Sequence, residues 1–235
     1  MKVVVDASFW DVFPEGQISL LFFDGLDNRV VAEKEAYFSE MLAEASQKAR
    51  VHIQEDPFTQ NPVIQDWRQA FTQFKTKKGA RSSIEALLKR VSQGREFSPI
   101  NPLVDIYNAV SLAYGVPCGG EDIDKIVGDL HLGKAKGGEA FFPLGAEEDA
   151  PALPEELIYY DEVGAICRNL NWREAQRTML TEETSRAVLV IEAVTASQHE
   201  QARAAAQALY DDISAYFNVT GTIHHLTIGN PEAEE

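Results

Sequence analysis

The chain has 235 residues, 45% of them hydrophobic, which is enough to bury one large core. Its formal net charge of −16 excludes broad, sequence-independent binding of nucleic acid but is compatible with a local basic patch. Only two cysteines, Cys118 and Cys167, are present, in unrelated contexts, and no long apolar run occurs. We therefore expect no disulfide framework, membrane span or signal peptide, and a reducing, cytoplasmic location.

The first part of the chain shows strand and helix patterns in turn. Two β-branched and aromatic segments predict strands and two segments with helical spacing predict helices, at 2–5, 18–23, 31–50 and 59–74 respectively. Ser82 with Glu85 three residues later is a capping box, which predicts the start of a further helix that Gly94 ends.

The next helix carries the most informative pattern. Asn101 as a cap and Pro102 in the first turn predict a helix that ends near Gly115. The helix has an apolar stripe (Leu103, Ile106, Tyr107, Val110) and a polar stripe (Asp105, Asn108, Ser111). The run 117–120 after it, Pro-Cys-Gly-Gly, predicts a turn that brings backbone close to a ligand. A pocket floor and a solvated helix face both remain open at this point.

After residue 117 short apolar runs alternate with glycine and acidic turns. These runs predict sheet strands at 126–132, 140–144, 157–160, 164–167 and 186–194, with a last strand at 221–228. Ser197 with Glu200 predicts the start of a long helix between the last two strands. The acidic tail 229–235 is predicted to be disordered. Helices first and strands later, without steady alternation, predict an α+β fold with a mixed or antiparallel sheet flanked by helices.

The run 101–122, the triplet Gly137-Gly138-Glu139 and the run 167–173 together resemble a known family. They are similar to the B3/B4 editing domain of the phenylalanyl-tRNA synthetase beta subunit, and more closely to the free-standing B3/B4 proteins. The match extends over roughly residues 61–228. The resemblance implies a B3/B4-like core at 61–228, with 1–60 as an N-terminal strand and helix elaboration packed on it.

The resemblance also implies functional roles for individual residues. Asn108 and Glu139 would act in the editing site, the first as an amide that holds the ester and the second as a carboxylate that recognises the amino acid. The implied substrate-binding residues are Tyr107, Gly119, Gly120, Asp161, Arg168, Asn169 and Thr184. For Trp172 and Arg173 we expect contacts with tRNA, by stacking on a base and by pairing with phosphate.

Two positions depart from the synthetase pattern. Gly119 stands where the synthetase has a histidine, which predicts a larger pocket, and Tyr107 replaces a small hydroxyl residue. We expect Asn108, Gly119, Glu139 and Arg168 to line one cavity. Cys118 is interpreted as a packed thiol in preference to a nucleophile.

Two function classes remain open from the sequence. The first is a trans-editing deacylase that hydrolyses the ester of a mischarged tRNA, with a non-cognate amino acid or an arginine analogue as the acyl group. The second is a non-catalytic amino-acid or tRNA-binding module. No cofactor or metal is expected, because His224 and His225 point to opposite strand faces and no metal or phosphate-loop motif is present. Two basic clusters are either tRNA contacts or solvated faces: Lys75, Lys77, Lys78, Arg81, Lys89, Arg90 and Arg95, and Arg168, Arg173 and Arg177. The sequence does not indicate the oligomeric state.

Overall fold

The computed structural model describes all 235 residues and contains ten strands and six α-helices. The strands are β1 (Lys2–Val5), β2 (Gln17–Phe23), β3 (Cys118–Asp122), β4 (Leu130–Lys134), β5 (Leu157–Tyr160), β6 (Ala165–Arg168), β7 (Arg173–Glu174), β8 (Ala187–Ala193), β9 (Gly221–Leu226) and β10 (Glu232–Glu234). The helices are α1 (Ala7–Trp10), α2 (Glu35–Lys48), α3 (Pro62–Ala70), α4 (Ser83–Ser92), α5 (Pro102–Tyr114) and α6 (His199–Phe217). None of the six helices has the length and hydropathy needed to cross a membrane.

The strands form two sheets. One has six strands in the order β10-β1-β4-β5-β6-β7, and the other has four in the order β3-β8-β2-β9. The pair β1–β4 is parallel and every other pair is antiparallel. The mixed α+β class expected from the sequence is thereby confirmed.

The four-stranded sheet is the middle layer of three. Strand β2 is buried at every residue, and its side chains alternate between two cores. Ile18, Leu20 and Phe22 pack between the two sheets, whereas Leu21 and Phe23 pack against α5 and α6. This alternation follows from the two-residue period of a strand, so β2 must be apolar on both faces.

Two sequence expectations about the chain ends need correction. Residues 1–60 do more than pack on the 61–228 core, because β1 lies between β10 and β4, and β2 lies between β8 and β9. The tail at 229–235 is not disordered, because Glu232–Glu234 pairs antiparallel with β1 as strand β10. Lys2 and Arg186 offset part of the tail's negative charge through ion pairs with Glu232 and Glu235.

Two further segments differ from their predicted conformation. The glycine run that predicted a turn is strand β3, and it is buried throughout. The run 140–144 is not a strand, although Pro143 forms an isolated bridge with Ala175. The glycines of β3 serve close packing: a Cβ on Gly119 would overlap with the Asn171 side chain.

The next position in β3 has less freedom to adapt. A Cβ on Gly120 would lie 2.5 Å from Leu189 Cδ1 and 3.1 Å from Leu180 Cδ1, both in the core beneath the helices. We expect Gly120→Ala to lower the free energy of unfolding by about 1–3 kcal/mol through overpacking. Gly119→Ala should cost less, because the end of the Asn171 side chain can move aside. Urea denaturation of both variants tests this, and equal losses would contradict it.

Candidate functional site

A cavity of about 560 Å³ lies between α4, α5 and the turn that joins β6 to β7. Sixteen residues line it and ten of them are hydrophobic. Helix α4 contributes Ala86, Leu87 and Arg90, and α5 contributes Tyr107 and Asn108. A mostly apolar lining with a few polar groups is typical of small-molecule sites.

Helix α5 places Asn108 at the edge of the cavity. Asn101 caps the helix, its Oδ1 accepting from the Val104 N–H at 3.1 Å, and the helix ends at left-handed Gly115. The apolar stripe is buried in the core, which leaves the half-buried Asn108 on the rim. No protein group hydrogen-bonds the Asn108 side chain, so its amide is available to a ligand.

The rest of the polar stripe holds α5 in place. Asp105 accepts from the Ile100 N–H at 2.9 Å, and Ser111 Oγ donates to the Val116 carbonyl at 2.5 Å. Burial raises the pKa of Asp105 to about 6. The stripe is therefore neither a solvated face nor wholly a pocket floor.

Glu174 in β7 forms part of the cavity wall beside Tyr107. The Tyr107 hydroxyl donates to Glu174 Oε1 at 3.4 Å. Burial raises the pKa of Glu174 to about 7, so both protonation states are populated near neutral pH. The sequence motifs did not single out Glu174, because its raised pKa arises only in the assembled fold.

A buried polar cluster lies behind this wall, between the two sheets. Cys167 pairs with Glu174 across β6 and β7, and its Sγ donates to Glu121 Oε1 at 3.1 Å. Glu121 Oε2 and Thr178 Oγ1 are buried without a hydrogen-bond partner. Burial, and then the charge of Glu174, raise the pKa of Glu121 well above its usual value. The cluster thus favours a proton or another positive charge close to the cavity.

Neither cysteine is activated as a nucleophile. Burial raises the pKa of both the Cys118 and the Cys167 thiol far above the ordinary value. Both therefore remain neutral thiols at physiological pH, and reactivity needs the thiolate. No histidine lines the cavity. No group of three or more His, Cys, Asp or Glu side chains is arranged to hold a metal ion.

The structure brings together only some of the predicted site residues. Tyr107, Asn108, Trp172 and Arg173 line the cavity. Gly119 lies behind the lining, and the Asn171 side chain fills the space that a side chain at position 119 would take. The absence of a side chain at Gly119 therefore does not enlarge the pocket, contrary to the sequence expectation.

Glu139 and Arg168 lie outside the cavity, so the four-residue cavity expected from the sequence is not formed. Glu139 accepts from the N–H groups of Lys136 and Gly137 at 2.7 and 3.0 Å, which closes its own loop. Arg168 forms a buried two-pronged ion pair with Glu156 at 2.6 and 2.7 Å.

The remaining predicted residues also have local structural partners. Asp161 pairs with Arg177, Thr184 donates to Asp122, Asn169 accepts from the Lys77 N–H, and Gly120 packs under Leu189. None of these four lines the cavity. Their roles here are in loop and core packing, which long-range contacts determine.

The mouth of the cavity carries an aromatic ring and two cations. The Arg173 guanidinium lies 5.0 Å from the Trp172 ring centroid, and Arg173 is exposed. Arg90 lies 4.2 Å from the Phe97 ring. A second cavity of about 480 Å³, beside His52 and Tyr114, contains none of the predicted site residues. The first cavity is therefore the candidate functional site.

The family model of the B3/4 domain matches residues 66–222 of the chain. The chain belongs to the B3/4 domain family. The matched range includes α4, α5 and the β6–β7 turn, so the whole cavity lies within the B3/4 domain. The resemblance inferred from the sequence motifs is confirmed at this level.

One relative and one solved structure are similar to this chain. The phenylalanine–tRNA ligase beta subunit of Corynebacterium jeikeium (strain K411) is 36% identical over 66 residues, which are 28% of this chain and 8% of that subunit. A crystal structure of an N-terminal fragment of the phenylalanyl-tRNA synthetase beta subunit from Pyrococcus horikoshii shows 14% identity and a TM-score of 0.49. That alignment covers 94% of this chain and 49% of the fragment.

The Arg168–Glu156 pair yields a prediction about stability. Both side chains are at most 2% exposed, so removal of the cation would leave an unpaired buried carboxylate. We expect Arg168→Ala to lower the free energy of unfolding by about 3–5 kcal/mol. The exposed Arg173→Ala, five residues away, should change it by less than about 0.5 kcal/mol. Urea denaturation compares the two, and an Arg168→Ala variant as stable as the parent would contradict the assignment.

Glu192 yields a prediction about pH. It accepts from the Tyr159 hydroxyl at 2.9 Å between the sheets, and burial raises its pKa from 4.5 to about 8. The folded state therefore binds more protons than the unfolded state over this window, so stability falls as pH rises from 4.5 towards 8. Glu192→Gln should reduce this loss of unfolding free energy by about 1 kcal/mol or more. The measurement is urea denaturation across that pH range. The exposed Glu96→Gln is the control, and an unchanged slope in Glu192→Gln would refute the prediction.

Proposed function

We propose that this B3/4 domain is a trans-editing deacylase that hydrolyses the ester of a mischarged tRNA. The observation that carries the proposal is the unpartnered Asn108 amide on the rim of a cavity whose wall holds the Tyr107–Glu174 pair. The volume of about 560 Å³ lies within the range of small-molecule sites. Family membership supports the same choice of site.

The proposed ester hydrolysis requires only modest catalysis by the protein. An aminoacyl ester is already activated, so positioning of water and stabilisation of the developing oxyanion suffice. The Asn108 amide can donate to that oxyanion or accept from the attacking water. No thiolate and no histidine is required, in agreement with the neutral buried thiols.

The Glu174 carboxyl in the cavity wall supports a role in recognition. Glu174 has a pKa of about 7 and can ionise when a cation binds next to it. Its cationic partner would be the α-amino group of the acyl group or a cationic side chain. Arginine analogues are therefore candidate acyl groups. At the mouth, Trp172 would stack on a terminal base and Arg173 would pair with a phosphate.

The second candidate function is a binding module that senses an amino acid or tRNA without turnover. The observation that favours it is that no histidine lines the cavity and that Glu174 is its only carboxyl. Both candidates use the same cavity and the same ligand class, so only a rate measurement separates them.

The test is a panel of mischarged tRNAs, each followed for loss of its amino acid. We expect the chain to shorten the half-life of at least one ester, and Asn108→Ala to slow that reaction about 10- to 100-fold. Glu174→Gln should slow it about tenfold and remove the rise in rate as pH increases through 7, since only the carboxylate attracts a cation. Glu139→Gln makes the same chemical change outside the cavity and should have little effect.

Two outcomes would contradict the deacylase. Rates unchanged in Asn108→Ala would remove the proposed site. Saturable binding of tRNA or amino acid, with no hydrolysis of any ester in the panel, would favour the binding module.

A further inference from the structure

The segment from 75 to 95 is basic in an otherwise acidic chain. It contains seven of the 21 Lys and Arg residues, and its one acidic residue, Glu85, is bound by Arg68. We call these seven side chains the basic surface: Lys75, Lys77, Lys78, Arg81, Lys89, Arg90 and Arg95. Lys89 is half-buried and the other six are exposed.

None of the seven forms an ion pair. Eight of the chain's other Lys and Arg residues do so. The chain has 37 acidic residues, so partners are abundant elsewhere. Within the basic surface, Lys89 and Arg90 instead lie over the rings of Phe58 and Phe97 at 4.7 and 4.2 Å. The positive charge of this surface is therefore not neutralised by the protein.

The basic surface is continuous with the rim of the cavity. Arg90 itself lines the cavity, and Arg81 directly precedes Ser82, the cap of α4. At its other end, the Lys77 N–H donates to Asn169 Oδ1 at 3.1 Å, just before the turn that carries Asn171 and Trp172. The loop with Lys77 and Lys78 is thus connected to α4 and to the β6–β7 turn, two of the three elements around the cavity.

We propose that the basic surface binds the phosphate backbone of the RNA whose acylated 3′ end enters the cavity. This deepens the proposed function and rests on it for the identity of the RNA. Phosphate groups bind Lys and Arg side chains, and side chains that have no carboxylate partner in the protein are available for this. Each phosphate that is neutralised releases counterions from the nucleic acid. The negative remainder of the chain repels the same polymer. Docking is therefore restricted to this face, and the 3′ end is directed to the cavity mouth.

The test compares two triple variants with the same change in charge. Lys77→Ala/Lys78→Ala/Arg81→Ala removes three exposed cations of the basic surface. Lys34→Ala/Lys136→Ala/Arg203→Ala removes three exposed cations outside it, and none of the six is in an ion pair. The probe is unfractionated, unacylated tRNA, and the measurement is fluorescence anisotropy over a series from about 50 to about 300 mM salt.

The first triple variant should bind tRNA at least about tenfold more weakly at low salt. Its slope of log affinity against log salt should fall by about two to three, since each lost phosphate contact lowers the slope by about 0.7–0.9. The control triple should retain the affinity and the slope of the parent. Equal behaviour of the two triples would overturn the proposal. So would tighter binding to vesicles with about 30% anionic lipid than to tRNA, lost in the first triple, which would assign the surface to a membrane.

The two proposals can fail separately. If no mischarged tRNA loses its amino acid but the first triple still weakens tRNA binding, the deacylase fails and the basic surface remains an RNA contact. If esters are hydrolysed and the first triple binds tRNA like the parent, the deacylase stands and the basic surface is excluded.

Discussion

Burial of strand β2 on both faces is the constraint on which the rest of the molecule depends. Each of its seven residues is buried, and neighbouring side chains enter different cores. One face therefore requires a second sheet and the other requires helices. Several polar groups between the sheets are hydrogen-bonded there, as Glu192 is to Tyr159 and Glu121 Oε1 is to Cys167.

The sequence was sufficient to predict a helix or strand where residues within that element determine it. The Asn101 cap, the Ser82 cap and the β-branched run of β8 each act within a few residues, so α5, α4 and β8 could be predicted. Only half of the predicted Ser82–Glu85 capping box forms, because the Glu85 carboxylate binds Arg68 instead of the Ser82 N–H. Strand β3 could not, because its glycines are explained by Asn171 and Leu189, which lie far along the chain. Strand β10 pairs with β1 at the opposite end of the sequence, which no local pattern indicates.

The candidate site likewise contains residues that the sequence could predict and residues that it could not. Asn108 and Tyr107 lie on one helix, and Trp172 and Arg173 are adjacent at the start of β7, so motif order was enough to bring them to one cavity. The pKa of Glu174 is raised by burial, and burial is a property of the assembled fold. The same holds for Arg168, whose buried partner Glu156 turns a predicted ligand contact into a structural ion pair. Charge and residue type alone do not distinguish a ligand contact from a structural ion pair.

The close approach of Gly119 to Asn171 means that these two positions share one volume. A substitution at either position changes which residues the other can accept, so their effects on the pocket are not independent. A larger side chain at 119 becomes tolerable once 171 is small, whereas the reverse order passes through an overpacked intermediate. Changes of pocket shape in this chain should therefore begin at position 171, and position 119 should follow.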